Sequence, residues 1–241
     1  YLEKFGFGRT QLPAGLSLAL GTAMVTPLQM AQAYSVFANG GFKVVPYIID
    51  SIRNSQDQII YQAKPLAVCT ANCGKDIAVA PRAITPQNAF LITSALRDVI
   101  QHGTATLAKK LARNDIAGKT GTTQNQVDAW FAGYNPDLVT VAWMGFDQPQ
   151  SLHEYGAQAA LPMWIQFIQS ALKGKPEHVL EQPKGIVSIR IDPITGKRAS
   201  ANDPTGIFEF FMLPHVPETD GSYSEDAKPS DSDDSAEESL Y

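Results

Sequence analysis

The chain has 241 residues, 44% of them hydrophobic and 18% charged, which is enough to build one large domain or two small ones around a real core. No run of 18 apolar residues occurs, which excludes a membrane-spanning helix within these residues, and no basic-then-apolar leader opens them. The formal charge of −5 is uneven: nine acids and one lysine fall in residues 218–241, leaving eighteen basic and fifteen acidic side chains in residues 1–217 with no basic cluster, which argues against a nucleic-acid binder.

The first residue is Tyr1, and the chain is expected to be part of a longer one. Thr26-Pro27-Leu28-Gln29 is a capping box with proline at the first helical position. Met30, Ala33, Tyr34 and Phe37 continue it at helical spacing until Asn39-Gly40-Gly41, which predicts a helix over 26–39. Residues 42–49 and 52–61 read as strands around a polar break, a hairpin or meander. Residues 62–83 read as irregular and hold Cys69 and Cys73. A zinc site would need two further ligands, and His102, His153, His178 and His215 are scattered. The pair therefore reads as a small disulfide loop, ahead of free thiols or a metal site.

Thr85-Pro86 starts a second helix carrying Phe90, Leu91, Leu96, Val99 and Ile100, and Gly103 ends it. Residues 115–123, 127–134 and 139–146 follow as strands, the last two joined by an Asn135-Pro136-Asp137 turn. Their aromatic residues Trp130, Phe131, Tyr134, Trp143 and Phe146 read as core rather than as ligand stackers. His153, Glu154 and Tyr155 read as a solvated loop. A third helix is expected over 161–172, with Trp164 and Phe167 packed on the sheet. Residues 185–217 form a β-prone extension, and the acidic residues 218–241 are expected to be disordered.

Gly118-Lys119-Thr120 invites comparison with a phosphate loop, but that pattern needs glycine at position 113, which is Arg113. The alternative is a Lys-Thr-Gly strand, here Lys119-Thr120-Gly121-Thr122-Thr123. An edge strand of this kind offers a positive charge at Lys119, a hydroxyl at Thr122 for a carboxylate, and an outward N–H for a developing oxyanion. Gly121 lets a substrate backbone lie close, and a substrate strand can add to the open edge.

The triplet leads into Asp128-Ala129-Trp130-Phe131-Ala132-Gly133-Tyr134, and Leu20-Gly21-Thr22-Ala23-Met24-Val25-Thr26-Pro27-Leu28-Gln29 precedes it with Phe37-Ala38-Asn39-Gly40-Gly41. Together these segments resemble the transpeptidase domain of class A, 1A-type penicillin-binding proteins over residues 1 to about 217. The resemblance implies an α/β fold with a mostly antiparallel central sheet and packed helices, incomplete in this chain. It implies residues 1–184 as the C-terminal part of the transpeptidase domain, 185–217 as a small extension and 218–241 as a tail. It assigns Lys119 to the catalytic network, Thr120 and Thr122 to carboxylate binding, the Thr122 N–H to the oxyanion hole, and Thr123 a weaker role.

The implied activity is serine D,D-transpeptidation of peptidoglycan stem peptides ending in D-Ala-D-Ala, inhibited by β-lactams, with no metal or organic cofactor. The implied place is the periplasmic face of the bacterial inner membrane, among cell-wall synthesis proteins, held by an anchor and accompanied by a glycosyltransferase domain outside these residues. The family also needs a Ser-x-x-Lys nucleophile ahead of Lys-Thr-Gly. Ser17, Ser35, Ser51, Ser55 and Ser94 have no lysine three positions on, while Ser170-Ala171-Leu172-Lys173 and Ser200-Ala201-Asn202 lie downstream, in the wrong order. The nucleophile is therefore expected before Tyr1 and this chain alone is expected to be inactive. A D,D-carboxypeptidase and a non-catalytic penicillin-binding-like module remain as alternatives.

Overall fold

The computed structural model describes residues 1–75 and 77–219. They divide into two compact units, Tyr1–Ile186 and a second from Val187 onward. The expectation for the acidic tail falls, from residue 220 on, outside the described residues.

In the first unit, helix α1 spans Pro27–Ala38. The Thr26 hydroxyl accepts the Gln29 N–H at 3.2 Å and the Gln29 side chain accepts the Thr26 N–H at 2.9 Å, so both ends of the capping box are closed. Past the helix, the Asn39 side chain locks the turn through two 2.8 Å bonds with the backbone of Phe42. Helix α2 spans Pro86–Gln101, capped by the Thr85 hydroxyl on the Asn88 N–H.

The stretch between the helices differs from expectation. Residues 42–49 form no strand: Phe42 makes one isolated bridge to Arg82, and Pro46 lacks the N–H a ladder needs. The hairpin coincides with the second predicted run, exceeding it by one residue at each end. Strands β1 (Ser51–Arg53) and β2 (Ile59–Gln62) pair antiparallel about a turn in which Asn54 Oδ1 accepts the N–H groups of Gln56 and Gln58. The segment after it is irregular, and Cys69 and Cys73 are joined in a disulfide with a Cα–Cα distance of 5.9 Å.

The central sheet is three antiparallel strands in the order β3 (Ala117–Thr122), β4 (Asp128–Asn135), β5 (Leu138–Gly145). Strand β4 lies in the middle, and its two core rings point to opposite faces, as strand alternation requires. Tyr134 packs with Ala38 and Ala117, against Tyr34, Phe37 and Leu96 of the first two helices. Phe131 packs on the other face with Trp164 of helix α3 (Gly156–Ala171), ring centroids 4.8 Å apart. Ile100, Ile116, Leu161 and Ile168 complete that core.

Helix α3 begins five residues before its expected start. Pro162 suits a first turn and so marks a false beginning, whereas the true first turns are built of Gly156, Ala159 and Ala160, whose small side chains give little helical periodicity. Phe167 is also corrected: it is half exposed, while Trp164 is fully buried and donates its indole N–H to Thr140 O. Trp143 and Phe146 at the end of β5 likewise lie partly in solvent rather than in the core.

Strand β6 (Ile186–Ile191), which begins at the boundary between the units, and strand β7 (Ile207–Met212) form a two-stranded sheet. The centre of the second unit is Arg190, whose guanidinium donates to the carbonyls of Ser200, Ala201, Asp203 and Gly206. No helix among the described residues is long and apolar enough to cross a membrane.

Candidate active site

Strand β3 is an outer strand of its sheet, so one of its edges is open. The Thr123 N–H is donated to Asp128 O at 3.1 Å, toward β4. Successive amides in a strand alternate sides, so the N–H groups of Thr122 and Thr120 point to the open edge.

The side chains add to this. Thr120 and Thr122 share the face turned toward α3: Thr120 lies opposite Phe131, and Thr122 Oγ1 accepts the Gly156 N–H at 3.0 Å. Lys119 lies on the alternate face but bends back along the strand, its Nζ donating to Thr120 O at 3.1 Å and to Thr120 Oγ1 at 3.3 Å. An ammonium, two hydroxyls and two outward amides are thereby gathered along one exposed strip of β3.

Glycine is required at 156 by close approach. A Cβ there would stand 2.5 Å from both Gly121 O and Trp130 O, so any side chain would lift α3 off the sheet. Thr123 turns away from the strip: its hydroxyl donates to Asp128 Oδ2 at 3.1 Å and accepts the Asp128 N–H at 2.8 Å. Asp128 Oδ1 in turn accepts the Trp143 indole N–H at 2.9 Å. The turn between β3 and β4 holds Asn125 and Gln126 at φ of 58° and 56°, a left-handed conformation that this pinning maintains.

The other end of β3 is anchored by Asp115, whose side chain is fully buried. It accepts from Arg113 Nε at 2.8 Å and Nη2 at 2.6 Å, from Asn135 Nδ2 at 3.1 Å and from the His178 N–H at 3.2 Å. Burial pushes the carboxyl's pKa up, but these hydrogen bonds and the Arg113 charge outweigh it and hold it below the ordinary carboxylate value. Arg113 also donates to the carbonyls of Lys175 and Pro176, so the chain after α3 is tied to the root of the strand. Behind β3, burial raises the Tyr34 hydroxyl to about 12. Burial likewise raises that of Tyr134, which exchanges a 2.9 Å hydrogen bond with Thr93. Among the described residues no group of three or more His, Cys, Asp or Glu side chains is placed to hold a metal.

The family model for the penicillin-binding protein transpeptidase domain matches residues 1–165, which include all of this strip. The chain belongs to the penicillin-binding protein transpeptidase family. It is similar to penicillin-binding protein 1A of Pseudomonas aeruginosa, at 43% identity over 90% of this chain and 31% of that protein. It is also similar to penicillin-binding protein 1A of Neisseria lactamica, at 46% identity over 78% of this chain and 23% of that protein. The crystal structure of penicillin-binding protein 1A from Haemophilus influenzae superposes with a TM-score of 0.80 at 38% identity, covering 90% of this chain and 36% of that one. The chain thus spans about a quarter to a third of these relatives' length.

Within this transpeptidase domain, the sequence places Lys119, Thr120, Gly121 and Thr122 on one strand, and the structure gathers the polar ends of Lys119, Thr120 and Thr122 along its edge. Sequence reasoning passed over Thr104 and Gly156, which touch Thr120 and Thr122 from other elements. Of the downstream candidates, Ser170 is exposed and hydrogen-bonds back to Gln166 O in its own helix.

Proposed function

We propose that β3 is the substrate-binding strand of a peptidoglycan D,D-transpeptidase, and that the serine nucleophile comes from sequence outside these 241 residues. The observation that carries this reading is the open edge of β3, where Lys119, Thr120 and Thr122 offer one ammonium and two hydroxyls beside outward N–H groups. A stem peptide ending in D-Ala-D-Ala would lie along this edge as an added strand, its terminal carboxylate on Thr120 and Thr122. Gly121 leaves room for its backbone.

The serine Oγ would attack the penultimate carbonyl carbon, forming an ester as the peptide C–N bond breaks and D-Ala departs carrying the proton. The Thr122 N–H would donate to the developing oxyanion. An amine of a neighbouring stem would then attack the ester carbon, forming the cross-link and returning the proton to serine. A β-lactam would take the same place, its ring C–N bond opening without loss of a fragment. The description of the matching family joins penicillin binding to transpeptidation, which supports this pairing. The site would work at the periplasmic face of the inner membrane, without a metal or organic cofactor.

The test is penicillin acylation of the full-length protein, followed by intact mass and peptide mapping. Lys119→Ala should lower the acylation rate by about 100-fold or more, the scale seen on removing one transition-state donor. A folded Lys119→Ala protein that acylates at the normal rate would overturn the role of this strand. The 241-residue chain alone should take no label, and an adduct on Ser170 would show that the downstream serine is the nucleophile after all.

A further inference from the structure

Thr104 lies in the turn after α2, and its hydroxyl is 2.7 Å from that of Thr120. The turn is held on both sides of it. The Gly103 N–H is donated to Asp98 O at 3.2 Å and Val99 O at 3.1 Å, and the Ala105 N–H to Val99 O at 3.1 Å. Ala105 is fully buried. A Cβ on Gly103 would stand 2.9 Å from Val99 Cα and O, so the chain can double back on α2 only with glycine there. Thr104 is therefore presented to β3 by rigid backbone.

The hydroxyl arithmetic at Thr120 gives this contact a chemical consequence. A threonine hydroxyl has one proton to donate and two lone pairs to accept with. Lys119 Nζ has only protons to offer and lies 3.3 Å from Thr120 Oγ1, so it fills one lone pair. If Thr104 donates as well, the second lone pair is filled and the Thr120 proton is left to point outward. If Thr120 donated to Thr104 instead, that proton would be spent inside the protein and a carboxylate arriving at the edge would meet only lone pairs. Thr122 is set in the same sense, since the Gly156 N–H occupies one of its lone pairs.

We propose that Thr104 is a positioning residue of this site: by donating to Thr120 Oγ1, it holds the Thr120 hydroxyl as a donor to the substrate carboxylate. Thr104 itself does not touch substrate. The inference rests on the carboxylate-binding reading of β3.

It is tested in the full-length protein by second-order acylation rates with a penicillin and with its methyl ester, which lacks the carboxylate charge. The variants are Thr104→Val, Thr104→Ser, Thr120→Val and the double Thr104→Val/Thr120→Val. Thr104→Val should slow acylation by the free acid about tenfold, the value of one hydrogen bond to a charged group, and leave the ester nearly unchanged. Thr104→Ser should restore the rate. The double variant should be no slower than Thr120→Val alone, because the two hydroxyls act in series.

Equal losses with acid and ester, or additive losses in the double variant, would overturn the positioning role, as would a normal rate for Thr104→Val when Thr120→Val is slow. A normal rate for Thr120→Val would overturn the carboxylate reading itself and this inference with it, so the two failures are told apart by which single variant loses acylation.

Discussion

Asp115 shows how one residue sets the root of the site strand. Its carboxylate is removed from water and satisfied by two guanidinium N–H groups, an amide side chain and a backbone N–H. Removing it leaves Arg113 without its partner beside the start of β3, and breaking such a buried pair costs about 3–5 kcal/mol. Asp115→Ala should lose that much in urea unfolding of the full-length protein, and an unchanged midpoint would mean that the pair is dispensable. The carboxyl titrates below its ordinary value in the native state, so the unfolded state binds its proton first as pH falls. Its contribution is therefore complete above the unfolded carboxylate pKa of about 3.9 and is lost as pH drops through the lower native value. Asp115→Asn should flatten that part of the acid limb; an acid limb of unchanged slope would show that other carboxylates dominate it.

At the level of elements, legibility followed the local chemistry. Helices α1 and α2 could be read to within a residue or two because their starts carry Thr-Pro caps that satisfy backbone donors locally. Strands β3, β4 and β5 could be read because a polar turn separates β-prone runs. The strand expected at 42–49 failed because composition suggests β structure, but the single bridge of Phe42 to Arg82 does not extend into a ladder and Pro46 lacks the N–H to continue one. Helix α3 was half legible: Pro162 obscured its start, and spacing alone could not tell Trp164 from Phe167, three positions on. The structure separates them, since Trp164 is fully buried against Phe131 and Phe167 is half exposed. Trp164→Ala should therefore cost about 3–5 kcal/mol through the cavity it leaves, and Phe167→Ala less than about 1 kcal/mol. Comparable losses for the two, measured by denaturant unfolding, would mean that α3 sits differently on the sheet.

At the scale of the whole molecule, the candidate site was readable as a strand and unreadable as a place. Lys119 to Thr122 are consecutive, so a motif reveals them. Thr104 and Gly156 stand 16 and 34 residues away from the hydroxyls they touch, and no spacing rule connects a turn after one helix to the first residue of another. Residues 185–217 were set apart in the sequence only as a β-prone extension, with no sign of what holds them together, whereas the structure gives them a centre in Arg190. That side chain donates to four carbonyls of the loop leading into β7, two of which, Ser200 O and Asp203 O, otherwise accept only long backbone bonds of 3.3 and 3.4 Å from the Asp203 and Gly206 N–H groups. Bonds from a charged donor are the stronger kind, and losing several at once should open the loop locally. Arg190→Met is isosteric along its stem but supplies no donor. In the full-length protein it should speed amide hydrogen exchange at residues 199–206 by more than about tenfold, while exchange in β3, β4 and β5 stays at its normal rate. Unchanged exchange at 199–206 would show that the carbonyls do not depend on Arg190, and faster exchange in the central sheet as well would show that the two units unfold as one.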